Sequence, residues 1–140
     1  MKRYLCPLVT AAMLFLFWKR ETKTRESINL DLLTEKPWKQ ATSDSSPELN
    51  PAGAGWRVNN KCCLDDVYEF TEDGTANVHT GDMNCSEESS NEQNIIINYS
   101  INKEGSRLYW DEDEYQILEL NERQLKLYSN DYSELVILVH

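Results

Sequence analysis

Residues 64–80 read Leu64-Asp65-Asp66-Val67-Tyr68-Glu69-Phe70-Thr71-Glu72-Asp73-Gly74-Thr75-Ala76-Asn77-Val78-His79-Thr80. Leu64, Asp66, Tyr68 and Phe70 fall on one parity, Asp65, Val67 and Glu69 on the other. A period of two is that of an extended strand, whose successive side chains point to opposite faces. Asp73-Gly74 is a strong hairpin signal, and residues 75–80 return as a second strand. The fold is therefore read as β, and the question is how far the pattern extends.

Downstream it continues to the end of the chain. Residues 81–93 form a polar loop around Cys85. Ile95, Ile97, Tyr99 and Ile101 alternate with polar partners in the next strand, and Lys103-Glu104-Gly105 turns it. Leu108 and Trp110 share a face on the return. Residues 111–114, all acidic, read as a solvated turn. A strand over 115–120 follows, turned by Asn121-Glu122. Leu125 and Leu127 alternate with Gln124 and Lys126, Ser129-Asn130-Asp131 turns again, and residues 135–139 form a last apolar strand. With residues 38–42 at the start, this makes eight or nine short strands in sequential hairpins. Such regular spacing predicts an antiparallel meander closing into a barrel or sandwich. No internal repeat is present.

Upstream the character changes. Residues 43–55, rich in Ser, Pro, Gly, Ala and Asn, read as a loop. Ser27 or Asn29 can cap a short helical turn through Leu30, Leu32 and Leu33, stopped before Pro37. Before it lies a charged, Thr-rich linker over residues 19–27. At the start, Lys2 and Arg3 precede an apolar run over residues 4–18, interrupted only by Pro7 and Thr10. A charged head followed by about 15 apolar residues is the pattern of an export signal. It is short for a membrane span, which needs roughly 20. Phe15, Leu16, Phe17 and Trp18 run straight into Lys19 and Arg20, with no small residues for a peptidase and no Cys to carry a lipid. Three outcomes stay open: cleavage at a poor site, an uncleaved anchor, or a degraded lipoprotein signal. The expected organisation is a signal or anchor helix with linker over residues 1–26 and one β domain over 27–140.

Charge divides at the same place. Of 14 basic and 24 acidic residues, six and two lie in residues 1–26, leaving eight and 22 and a net charge of −14 behind them. A surface so negative, without a basic stripe, repels nucleic-acid phosphate. Three of the four cysteines fall in the domain, Cys62, Cys63 and Cys85. That number allows one intramolecular disulfide and leaves one thiol, the default for a small exported domain. A zinc site is the rival and would need a fourth ligand, with His79 and His140 the only histidines.

No catalytic constellation stands out. Asp65 and Asp66 suit either a loop brace or part of a calcium site, although calcium wants six or more oxygens. Ser-His-Asp chemistry would have to use His79, and nothing singles out an opposed carboxylate pair. The aromatic set is the most suggestive feature. Trp38, Tyr68, Phe70, Tyr99, Trp110 and Tyr115 either line a barrel mouth that holds a small apolar ligand or fill the core.

The run Cys62-Cys63-Leu64-Asp65-Asp66-Val67-Tyr68-Glu69-Phe70, then Asp73-Gly74-Thr75, then Cys85, resembles the lipocalin-like domains of small exported bacterial lipoproteins. The likeness extends over roughly residues 30–140. It implies a lipocalin-like barrel of about eight strands, a disulfide between Cys62 and Cys85, and a first-strand role for Trp38. It differs from the narrow lipocalin pattern in having Lys36 where Gly precedes the Trp, and no Arg in residues 133–139. The expectation is an exported protein of the periplasm or cell-envelope surface. It is non-enzymatic, monomeric and without cofactor or metal. It binds a small hydrophobic ligand or a cell-envelope protein and meets membrane only through residues 4–18 if these are retained. The alternative is a structural or inhibitory envelope protein with a filled core and no ligand.

Overall fold

The computed structural model describes residues 28–56, 63–83 and 94–140. The apolar segment 4–18 and the expected Cys62–Cys85 disulfide lie outside the described residues. Among the described residues a short helix, α1 (Asp31–Glu35), leads into nine strands: β1 (Trp38–Gln40), β2 (Gly55–Trp56), β3 (Val67–Phe70), β4 (Thr75–His79), β5 (Asn94–Ile101), β6 (Arg107–Trp110), β7 (Asp113–Leu120), β8 (Gln124–Ser129) and β9 (Glu134–Val139).

From β3 to β9 each strand pairs antiparallel with the next. The meander closes through β1, which pairs with β3 on one side (Trp38 opposite Tyr68) and β9 on the other (Gln40 opposite Leu138). Eight strands thus form a closed antiparallel barrel, as expected from the alternation, and closure removes the free sheet edges. β2 lies outside this count. It pairs parallel with the first half of β9, Gly55 opposite Glu134 and Trp56 opposite Leu135. The loop reading of residues 43–55 is corrected in two places, here and at a 3₁₀ turn over Pro47–Leu49.

Turn chemistry fits the sequence. Gly74 has φ +87°, in the left-handed region where Gly carries no steric cost. The Asp73 carboxylate accepts the Thr75 N–H at 3.1 Å, bracing a three-residue hairpin loop. The turn before β7 is shorter than expected. Only Asp111 and Glu112 lie in it, while Asp113 and Glu114 already belong to β7. β7 also carries a bulge between Ile117 and Glu119, which bends a strand and raises its twist.

Inside the barrel, Trp38, Phe70, Ala76, Leu108, Tyr115, Ile117, Leu120, Leu125, Leu127 and Leu138 form one apolar cluster. α1 closes one end of it through Leu33, and Leu30 packs near Gly105. Trp38 is fully buried and its indole N–H donates to the Leu33 carbonyl at 2.9 Å, tying barrel to helix. A second cluster lies on the outer wall. Ala41, Leu135 and Ile137 pack there with Ala54, Trp56, Leu118, Tyr128 and Val139. The segment 41–56 therefore lies over β8 and β9, so these strands are buried on both faces.

That segment is held by polar groups that alternation alone assigns to solvent. Lys126 is fully buried, and its ammonium donates to Asp44 Oδ1 (2.5 Å), the Ser46 carbonyl (2.6 Å) and Asn50 Oδ1 (3.0 Å). Gln124 accepts from Ser45 Oγ at 2.8 Å and donates to Ser46 Oγ at 2.9 Å and Glu119 Oε2 at 2.8 Å. All three protons of the ammonium find acceptors, as burial of a charge requires.

Asp65 and Asp66 brace the chain at residues 81–83, as the plainer of the two sequence readings has it. Asp66 accepts the Gly81 N–H at 3.1 Å and Asp65 accepts the Met83 N–H at 3.1 Å. A Cβ on Gly81 would stand 2.0 Å from the Asp65 carboxyl carbon. Gly81→Ala should force that carboxylate aside and cost about 1 kcal/mol. A lower urea midpoint with an unchanged slope is the expected result, and an unchanged midpoint would contradict the brace.

Candidate functional site

The end of the barrel opposite α1 holds a cavity of about 250 Å³ lined by Gln40, Tyr68, Ile97, Trp110, Asp111, Asp113, Tyr115, Val136 and Leu138. These come from β1, β3, β5, β6, β7 and β9 and the β6–β7 turn. Each strand contributes inward-facing positions near one end. Gln40 shares parity with Trp38, and Asp113 with Tyr115 and Ile117, so the period of two that builds the core carries polar groups to its rim.

The six aromatic residues expected to line a pocket divide into two sets. Tyr68, Trp110 and Tyr115 border the cavity. Trp38 and Phe70 are buried below it in the core, 0% and 2% exposed. Tyr99 packs edge-to-face on Phe70, ring centroids 5.1 Å apart, and its hydroxyl donates to the Thr71 carbonyl at 2.6 Å. Burial, and after it the Asp73 and Glu72 charges, push the Tyr99 hydroxyl above its ordinary pKa, so it remains a donor at neutral pH.

The rings at the rim are positioned by each other. Trp110 meets Tyr68 edge-to-face at 5.5 Å and 87°, and Phe70 at 5.3 Å and 64°. Such pairs contribute about 0.5–1.5 kcal/mol beyond their buried area. Gln40 Nε2 donates to the Tyr68 hydroxyl at 3.0 Å. The Tyr115 hydroxyl points to Asp113 Oδ2 at 3.4 Å, a long contact. The indole nitrogen of Trp110 is buried without an acceptor among the described residues. An orphaned N–H of this kind costs about 1–3 kcal/mol, which the ring's packing has to offset.

Asp111 and Asp113 give the rim its electrostatic character, and among the described residues the lining contains no Lys, Arg or His. Of the four consecutive acidic residues 111–114 read as a solvated turn, these two line the cavity. Glu114 instead pairs with Arg107 on the outer wall. Sequence reasoning left out Gln40, Ile97, Asp111, Asp113, Val136 and Leu138 as cavity residues. The parity of Gln40 with Trp38 and of Asp113 with Tyr115 is the signal that would have found two of the three polar ones.

Other candidates are weaker. A polar groove of about 470 Å³ on the outer wall is lined by Ser45, Ser46, Glu48, Glu119, Asn121, Glu122 and Arg123. Several of its groups are already committed to Gln124 and to one another. His79 ends β4 with Asn94 Oδ1 at 2.6 Å from Nδ1 and Glu69 Oε2 at 3.4 Å from Nε2, and neither contact is a nucleophile. Among the described residues, no three His, Cys, Asp or Glu side chains converge as metal ligands. Nor is any helix among them long and apolar enough to cross a membrane.

Fold and site together define a closed eight-stranded antiparallel barrel with a filled lower half and an open, aromatic and acidic mouth. Comparison with protein-family models, with curated proteins and with solved structures found no match to this chain.

Proposed function

We propose that the chain is an exported, non-enzymatic binding protein of the lipocalin-like kind, which takes a small ligand at the barrel mouth. The observation that carries this reading is the cavity of about 250 Å³ walled by Tyr68, Trp110 and Tyr115 at one end of a closed barrel. Concave sites with apolar and aromatic walls and a few convergent polar groups are where small ligands bind. The volume lies below the ~300 Å³ at which drug-sized sites begin, so the occupant is small. Export is supported by the charged head and apolar run of residues 2–18.

A second reading, a structural or inhibitory envelope protein without ligand, is favoured by the complete burial of Trp38, Leu108, Leu125 and Leu127 in the lower barrel. Titration of the protein with a fluorescent hydrophobic dye, followed by thermal unfolding, separates the two. The binding reading expects saturable uptake by the wild type and a raised Tm. Trp110→Ala should remain folded and take up the dye on the order of tenfold more weakly. Absence of uptake by the wild type, with loss of fold in the variant, would leave only the structural or inhibitory reading.

A further inference from the structure

We infer that the mouth cavity is selective for a small organic cation, an ammonium group carried on apolar bulk. This rests on the binding reading above and narrows its ligand class. Two other carboxylates have cationic partners: Asp44, in the segment over the outer wall, pairs with Lys126, and Glu114 of β7 with Arg107. Asp111 and Asp113 face a cavity whose lining, among the described residues, includes no cationic side chain.

The remaining walls suit the same occupant. Tyr68, Trp110 and Tyr115 border the space, with Tyr68 and Trp110 set nearly at right angles. A cation within about 6 Å of an aromatic ring face is attracted by the ring quadrupole. Quaternary and substituted ammonium groups exploit that attraction while burying their carbon against apolar walls. Here those walls are Ile97, Val136 and Leu138. Calcium takes six to eight oxygens from carboxylates, carbonyls and waters, and among the described residues no three His, Cys, Asp or Glu side chains converge to hold such an ion. The protein's net charge of −10 raises the local concentration of cations in the same sense. An apolar anion would meet both carboxylates unneutralised.

The test uses two probes of one shape. Benzyltrimethylammonium and neopentylbenzene differ by a charged nitrogen in place of a carbon. Calorimetric titration of the full chain should show the cation binding on the order of tenfold more tightly. In the Asp111→Asn, Asp113→Asn double variant, with its fold checked by circular dichroism, that preference should fall to roughly threefold or less. Its affinity for the neutral probe should be unchanged. Equal binding of the two probes by the wild type would overturn the cation inference and leave the pocket standing. A preference that survives in the double variant would overturn the role of the carboxylates. Failure of both probes to bind would overturn the pocket reading, and this inference with it.

Discussion

Replacing Trp38 by alanine is expected to destabilise the protein by about 3–5 kcal/mol, the range for removing a large buried aromatic. Total stabilities of small domains run to about 5–15 kcal/mol, so this one change should bring the barrel close to unfolding at physiological temperature. The reason lies in its connections. The ring is fully buried in the main cluster, its strand closes the barrel between β3 and β9, and its N–H holds the Leu33 carbonyl. The imidazole of His140 covers it at a centroid distance of 3.7 Å. Trp38→Phe retains most of the packing and removes the donor, and should cost about 1–3 kcal/mol through the carbonyl left unpaired. Urea denaturation measures both. A loss below about 1 kcal/mol for the alanine variant would contradict the role of Trp38 as the closing residue.

The second large effect is expected at the outer wall. Asp44→Ala leaves the Lys126 ammonium buried beneath residues 43–50 without its counter-charge. Breaking one side of a buried pair costs about 3–5 kcal/mol. Adding Lys126→Met should recover much of the loss, because an apolar chain of similar length then fills the space. A double-mutant cycle yields the coupling. The same pair predicts acid sensitivity. Burial raises the Asp44 pKa, but hydrogen bonds from Lys126, Asn50 and the Ser46 N–H, with the Lys126 charge, outweigh it. The folded value therefore lies below the ordinary 3.8. A carboxylate with a depressed folded pKa contributes stability that is fully present above its unfolded pKa and disappears as pH falls through the folded value. Stability should therefore decline below about pH 4, and less steeply in the Asp44→Ala, Lys126→Met protein. Equal slopes in the two proteins would remove Asp44 from the account.

These two sites mark the boundary of what was legible in the sequence. The first-strand place of Trp38 was implied by the resemblance, but its burial was not legible, since the sequence left it among aromatics that either line the mouth or fill the core. The hairpins at Asp73-Gly74 and Gly105 could be read, since each turn carries its own local chemistry. Lys126 and Gln124 could not. Alternation with Leu125 and Leu127 puts them on the outer face, and outer faces are ordinarily wet. What buries them is a segment about 80 residues earlier, whose docking depends on contacts no local pattern encodes. The two-residue strand Gly55–Trp56 escaped for the same reason, since its parallel pairing with β9 is a tertiary event.

At the candidate site the division is similar. Period-two parity brings Tyr68, Trp110 and Tyr115 inward, but it cannot say how deep each lies along the barrel axis. Burial separates these three from Trp38 and Phe70, and register alone does not show it, since Trp38 stands directly opposite Tyr68. Asp111 and Asp113 illustrate the converse. A run of four acidic residues reads as a solvated turn, yet β7 begins at Asp113, and parity then turns that carboxylate toward the cavity while Glu114 turns outward to Arg107.

The central claim, that a small ligand binds in the barrel mouth, is tested most directly by indole and amide NMR shifts of the ¹⁵N-labelled protein during titration with benzyltrimethylammonium and with its neutral analogue. The account predicts saturable shifts at the Trp110 indole and at the amides of Ile97, Asp111, Asp113 and Tyr115. The Trp38 indole, bonded to Leu33 at the closed end, should stay still. Shifts confined to Ser46, Glu119 and Asn121 on the outer wall, or no saturable shift with either probe, would contradict it.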